Sequence, residues 1–209
     1  MGLIIALNKG RIFKECLPLL AACDIAPDED PDASRKLIFE TRTGGHQIII
    51  ARSADVPTYV EHGVADIGIT GKDTILEYGG AMGFYEMLDL GIGKCRMMTA
   101  GPVGVPEPAG VLRVATKFIN ITKDYYRQQG RQVSLIKLSG AMEIAPLLNL
   151  SDTIVDIVDT GNTLVANGLE ARATICDIST RLIVNRASMK TKFDEVNGLI
   201  SQLESVVAS

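Results

Sequence analysis

The chain has 209 residues, of which 46% are hydrophobic and 22% charged, and a formal net charge of −4. That length can bury a substantial core in one large domain or two small ones, and the balance is that of an ordinary globular protein. The net acidity argues against a general nucleic-acid binder, which carries a basic face, but leaves room for local cationic pockets.

From the N-terminus, residues 3–7 form a short apolar run, and Asn8-Lys9-Gly10-Arg11 follows at once. That run is too short for a secretory leader, and nothing later approaches the ~20 apolar residues of a membrane span. A cytoplasmic protein without membrane contact is therefore expected. Cys16, Cys23, Cys95 and Cys176 show no metal-ligand spacing, and the chain has only two histidines, His46 and His62. Reduced structural thiols and structural histidines are expected, with no metal held by protein ligands alone.

Apolar and β-branched patterning predicts strands over residues 3–7, 37–40, 47–51, 66–70, 95–100, 112–116, 133–138 and 153–158. Helices are predicted over 12–23, 56–62, 117–129 and 141–148. This alternation implies an α/β fold with largely parallel sheets. The stretch GPVGVPEPAG (101–110) is too rich in Gly and Pro for helix or central strand. Residues 188–207 place Phe193, Val196, Leu199, Ile200, Leu203, Val206 and Val207 at helical spacing. A closing helix there packs back onto the N-terminal half. Domain I is then discontinuous, residues 1–92 and 176–209, with domain II, 93–175, inserted.

The segment DIVDTGNT (156–163) carries the chemistry. A buried strand, a tight glycine turn and a helical start at Leu164 aim backbone N–H groups at one place, where the helix dipole favours anions. Thr160 and Thr163 supply hydroxyl donors beside Asn162, and Gly161 permits a positive φ and close approach. The GK[ST] ending of a Walker A loop is missing. Asp156 and Asp159 would be unfavourable next to a phosphate unless they faced hydroxyls or a metal. A ribose diol supplies the hydroxyls, so the loop reads as a site for ribose 5-phosphate. The alternative is a helix N-cap turn, with Asp159 or Thr160 as cap. A second strand-end turn, GITGKD (68–73), either lines a nucleotide site or is an ordinary connection with Asp73 as cap. Asp55 reads as a helix N-cap with Pro57 in the first turn.

Residues 143–164, from Glu143 through Ile154, Asp156, Thr160, Gly161 and Thr163 to Leu164, closely resemble the signature of the ATP phosphoribosyltransferase family. Asn149 stands where that signature usually has Gly. The resemblance extends over ALNKGRI (6–12), SRKLIF (34–39), RSADVPTYVEHGVADIGITGKD (52–73) and LEARATICDISTRLIVN (169–185). It implies two α/β domains with a cleft between them, resembling type II periplasmic-binding-protein architecture. It also implies transfer of a phosphoribosyl group from phosphoribosyl pyrophosphate to N1 of ATP, at the first step of histidine biosynthesis, with Mg²⁺ bound by the substrate phosphates.

On this resemblance Lys9, Arg11 and Arg35 meet the departing pyrophosphate. Glu143, Asp156, Asp159, Thr160, Gly161, Asn162 and Thr163 bind phosphoribosyl pyrophosphate, and Arg52, Gly71 and Asp73 bind ATP. The ending after 188–207 resembles the family's short form. Such chains form homodimers and join a regulatory subunit similar to histidyl-tRNA synthetase in a hetero-octamer. A purine-salvage phosphoribosyltransferase is the enzymatic rival, and a two-domain solute-binding protein the non-enzymatic one.

Overall fold

The computed structural model describes residues 2–79 and 83–208. The chain divides into two compact units, one running up to Gly93 and resuming at Ser179, the other Lys94–Ile178. In the first unit, β1 (Ile4–Asn8), α1 (Arg11–Ala22), β2 (Ile38–Glu40) and β3 (Gln47–Ala51) come first. A 3-10 turn (Ser53–Asp55), α2 (Val56–Glu61), β4 (Ile67–Gly71), α3 (Lys72–Tyr78) and β5 (Phe84–Asp89) follow. The second unit holds β6 (Cys95–Pro102), β7 (Leu112–Thr116), α4 (Ile119–Gln128), β8 (Val133–Lys137), α5 (Ile144–Leu147), β9 (Thr153–Val158), α6 (Asn162–Ala166) and β10 (Leu169–Ile178). Then β11 (Thr180–Asn185), α7 (Ser188–Thr191) and α8 (Phe193–Val207) complete the first unit.

The first sheet has the order β2-β3-β1-β4-β11-β5, and the second β10-β6-β9-β7-β8. Both are mixed, which corrects the expectation of largely parallel sheets. Strands β3, β1 and β4 run parallel, but β2, β11 and β5 are each antiparallel to their neighbours. In the second sheet β7, β8 and β9 are parallel, while β6 opposes both β9 and β10. Strand β10 stays paired up to Ile178 opposite Cys95, which keeps residues 176–178 with the second unit. Strand β6 likewise continues to Pro102 opposite Leu169, inside the stretch expected to be loop. The ladder with its other partner, β9, stops at Ala100 opposite Ile154, so the proline sits at a strand end where no ladder bond from its nitrogen is needed.

Two-residue alternation sets the layers. Leu3, Ile5 and Leu7 face a core with α1 and α8 that includes Leu20, Val196 and Leu203. Ala6, with Ile4 packed alongside, faces the other side, against Val56, Val60 and Ile75 of α2 and α3. In β9, Ile154 and Val158 join Met142 and Leu164 on one face, while Val155 joins Phe118 and Tyr126 on the other. Asp156 therefore shares the face of Ile154 and Val158, on the side of α5 and α6. The C-terminal segment expected as one helix is two, separated at Lys192. Lys192 is turned inward instead, with its ammonium 2.7 Å from Asp66 Oδ2 and 3.2 Å from Gly2 O.

Candidate substrate-binding site

In the second unit the parallel strands β7, β8 and β9 end on one edge; Glu143 lies in the segment after β8, Asp156 near the end of β9, and Asp159–Thr163 directly after it. The carboxyl edge of parallel strands is where open α/β sheets bind ligands. A cavity of about 180 Å³ is lined there by Glu143, Asp156, Asp159, Thr160, Gly161 and Thr163 over an apolar floor including Met98, Ala100 and Leu164. The structure thus brings together Glu143, thirteen positions upstream of Asp156 by sequence number, and the loop residues themselves.

Gly161 has φ 82° and is the residue from which α6 starts. A side chain there would be strained in this left-handed conformation. The first intrahelical bond runs from Val165 N–H to Gly161 O at 3.2 Å, so the amides of 162–164 precede the helical ladder. Asn162 N–H lies 3.4 Å from Thr160 Oγ1. This places the N-cap at Gly161, not at Asp159 or Thr160 as the cap-turn alternative expects, and the capping position makes no side-chain hydrogen bond among the described residues. The Asp156 carboxylate turns back to accept the N–H of Ile157 at 2.8 Å. Asn162 is exposed at the start of α6, outside the cavity wall but within the same turn.

In the first unit the carboxyl ends of β1, β3 and β4 lie side by side, with Asn8 opposite Ala51 and Leu7 opposite Ile69. Lys9, Arg11, Arg52 and the Gly71–Asp73 turn follow those ends directly. Arg35 reaches the same edge by a different route. Antiparallel β2 starts where β3 finishes, and Leu37 O accepts Ile50 N–H at 2.8 Å. A cavity of about 230 Å³ is lined by Lys9, Arg35 and Lys36 with Ser34, Phe13 and Ile50. Lys36 is engaged by Glu29 at 2.5 Å, and Lys9 stands 3.9 Å from Asp32. Arg11 lies outside those walls on the first turn of α1, its Nε 3.1 Å from Glu15 Oε1.

Arg52 is exposed and heads the 3-10 turn. Beside it, Ser53 Oγ lies 3.2 Å from Thr70 Oγ1 and 2.9 Å from Thr74 Oγ1, joining that turn to the end of β4. Gly71 and Asp73 are in contact: a Cβ on Gly71 would fall 2.1 Å from Asp73 Oδ1. Gly71 is the N-cap residue of α3 and Asp73 lies within its first turn, so Asp73 is not the cap. Asp55 holds the N-cap position of α2 with Pro57 just inside, as expected, although its side chain makes no capping bond.

Ser34 and Lys36 on the cationic cavity and Met98 and Ala100 under the loop were not singled out from the sequence. Met98 reaches the site through its register opposite Asp156, which no local signal in β6 announces. His46 is structural, its Nδ1 accepting Leu3 N–H at 3.0 Å, and partial burial keeps its pKa below the usual value. Cys16 is buried, which pushes its thiol up to about 12, and all four cysteines are unbridged. No group of three or more His, Cys, Asp or Glu suited to a metal ion occurs among the described residues.

Each mixed α/β unit carries a cavity at the ends of its parallel strands, one lined by hydroxyls and carboxylates and the other by cations, chemistry suited to small phosphorylated molecules. Residues 52–205 match the family model HisG, ATP phosphoribosyltransferase. An ATP phosphoribosyltransferase of Ectopseudomonas mendocina is 60% identical over 205 residues, 98% of this chain and 97% of the relative. One from Pseudomonas aeruginosa is 58% identical over 205 residues, again 98% of this chain and 97% of the relative. Among solved structures, the ATP phosphoribosyl transferase (HisG:HisZ) complex from Thermotoga maritima holds a chain 35% identical, with a TM-score of 0.87 over 99% of this chain and 98% of that one. The chain belongs to the ATP phosphoribosyltransferase family, pentosyltransferases (EC 2.4.2.17) of the first step of histidine biosynthesis.

Proposed function

We propose that this chain transfers the phosphoribosyl group of phosphoribosyl pyrophosphate to N1 of the adenine of ATP, releasing pyrophosphate. The observation that carries the reading is the cavity lined jointly by Glu143, Asp156, Asp159, Thr160, Gly161 and Thr163. Amide and hydroxyl donors at one end suit a 5-phosphate, and carboxylates suit the ribose diol. Adenine N1 has a free lone pair, so no side chain must first generate a nucleophile. The work of the protein is to place N1 behind the anomeric carbon and to stabilise pyrophosphate as it leaves.

In this assignment Thr160–Thr163, with Gly161 and Asn162 between them, anchor the 5-phosphate. Glu143 and Asp156 hold the 2′- and 3′-hydroxyls, and Asp159 borders the same sugar. Lys9 and Arg35 in the cationic cavity, with Arg11 alongside, meet the pyrophosphate, arginine's fork matching two phosphate oxygens at once. Arg52, Gly71 and Asp73 take ATP. The carboxylates of Glu143 and Asp156 are hard oxygen donors fitted to Mg²⁺, which is held mainly by the substrate phosphates and neutralises their charge when bound.

The related Thermotoga chain was solved in a HisG:HisZ complex, which supports a HisZ-like regulatory partner here. A homodimer of this chain within a hetero-octamer with a partner similar to histidyl-tRNA synthetase is part of the same proposal. So is a cytoplasmic setting; no helix among the described residues is long and apolar enough to cross a membrane. Purine-salvage phosphoribosyltransferases usually carry two adjacent acids before the phosphate loop, whereas Asp156 and Asp159 here are separated by Ile157 and Val158. Incubation with ATP, phosphoribosyl pyrophosphate and Mg²⁺ should raise the absorbance of N1-substituted adenine. Product formed equally well from adenine or another free base would overturn the assignment.

A further inference from the structure

Glu15 lies on α1, one turn after Arg11, and uses its two oxygens on different partners. Oε1 is 3.1 Å from Arg11 Nε. Oε2 accepts the backbone N–H of Gly93 at 2.8 Å. Gly93 is itself fixed. Its φ is +61°, a Cβ there would lie 2.8 Å from Thr180 Oγ1, and the preceding Ile92 O accepts Thr180 N–H at 3.0 Å. The carboxylate is therefore tied to the framework through one oxygen and presents the other, with its charge, to a half-exposed arginine. A surface i,i+4 pair without such a tether would be free to drift with either side chain. Meanwhile Lys9 and Arg35 line the cationic cavity and Arg11 does not, although the proposed chemistry asks all three to meet one anion.

We propose that Glu15 is a positioning residue that parks Arg11 beside the pyrophosphate pocket and yields it to the incoming anion. This rests on the reading of Arg11 as a pyrophosphate partner. A polyphosphate offers Arg11 more negative charge than one carboxylate, so occupancy shifts the guanidinium from Glu15 to the ligand. When pyrophosphate leaves, the tethered carboxylate takes the arginine back. Glu15 thereby sets how firmly the product is held without touching it. The competition is an exchange of ion pairs at a half-exposed site, so its reach is a modest factor rather than an on-off switch.

The test is calorimetric titration of the full chain with pyrophosphate in Mg²⁺, and separately with ATP. Glu15→Gln keeps an oxygen for Gly93 N–H but removes the charge that competes for Arg11. It should tighten pyrophosphate roughly two- to fivefold, the span of one exposed ion pair, and leave ATP affinity and thermal midpoint unchanged. In an Arg11→Ala background the same change should have no effect, because the arginine through which it acts is gone. Unchanged or weaker pyrophosphate binding by Glu15→Gln overturns the proposal. So does an undiminished gain in the Arg11→Ala background, which would mean direct repulsion of the anion. If Arg11→Ala alone does not weaken pyrophosphate, the assignment of Arg11 falls, and the role of Glu15 with it.

Discussion

Arg113 closes a fork on Asp152: Nη2 donates to Oδ1 at 2.6 Å and Nε to Oδ2 at 3.2 Å. The backbone N–H of Arg113 reaches the same Oδ2 at 2.9 Å, and Nη1 donates to Asn149 O at 2.7 Å. One side chain of β7 thus clamps the turn that carries the chain from α5 and Glu143 into β9 and the Asp159–Thr163 loop. Arg113→Lys keeps the charge but cannot reproduce the fork. Its thermal midpoint should fall nearly as far as that of Arg113→Ala. A midpoint equal to the parent would show that charge alone suffices. The hydrogen bonds from Arg113 hold the Asp152 carboxyl below its usual range. That contribution is present above the unfolded carboxylate value and is lost as pH falls through the lower folded one.

A buried counterpart lies in the first unit. Asp66, its side chain 7% exposed, accepts Ile4 N–H at 2.8 Å, Ser188 Oγ–H at 2.6 Å and Lys192 Nζ–H at 2.7 Å. Burial alone would push this carboxyl up, and the three donors together outweigh it, leaving the pKa lowered. Asp66→Asn leaves Lys192 without its counter-charge at the junction of α7 and α8 and should cost about 1–3 kcal/mol. The measurement is urea unfolding at neutral pH. The deficit should shrink as the pH is lowered through the parent's carboxyl titration, since the parent then loses the same charge. A deficit independent of pH would mean that shape, not charge, is at stake.

These two clamps mark the limit of what the sequence disclosed. Strands 47–51, 112–116 and 153–158 were legible at their observed bounds because each is a compact apolar, β-branched run between turn residues. The strand-turn-helix geometry of residues 153–166 was legible for a related reason, its three parts being consecutive. Strands β5, β10 and β11 were not assigned. Tyr85, Glu86 and Met87 are exposed on an edge, and bulges near Arg172 and Ile175 break the two-residue period of β10. Strand direction was hidden too, since nothing in β11 announces that its neighbours on both sides run the other way. The meeting of Lys9 with Arg35 depends on β2 reversing against β3, so their charge was visible but their shared cavity was not.

Asn149, where the family signature usually has Gly, sits at φ 56°. It follows α5 as a left-handed cap: Leu150 N–H bonds Ala145 O at 2.9 Å and Asn149 N–H bonds Pro146 O at 3.1 Å. Asparagine tolerates this conformation better than other non-glycine residues. Asn149→Gly should leave the thermal midpoint unchanged or raise it. Asn149→Ala should destabilise by about 1 kcal/mol, with phosphoribosyl pyrophosphate affinity unaltered in both. Equal midpoints for Gly and Ala would remove backbone strain as the reason for the signature position.

Thr163 is assigned to the 5-phosphate and Arg35 to the departing pyrophosphate, so their variants should fail differently. Thr163→Val keeps the shape of the loop and removes one hydroxyl donor. It should weaken phosphoribosyl pyrophosphate while sparing ATP, and calorimetric titration showing equal losses for both would refute the loop's assignment. On the proposed assignment Arg35→Ala removes a charge-assisted bond to pyrophosphate, worth about 1.5–3 kcal/mol. If that bond strengthens as pyrophosphate departs, it appears in the chemical step, on the order of a ten- to hundredfold loss in single-turnover rate. Substrate affinity should change far less. An unchanged single-turnover rate would remove Arg35 from the reaction and leave Lys9 and Arg11 to meet the leaving group.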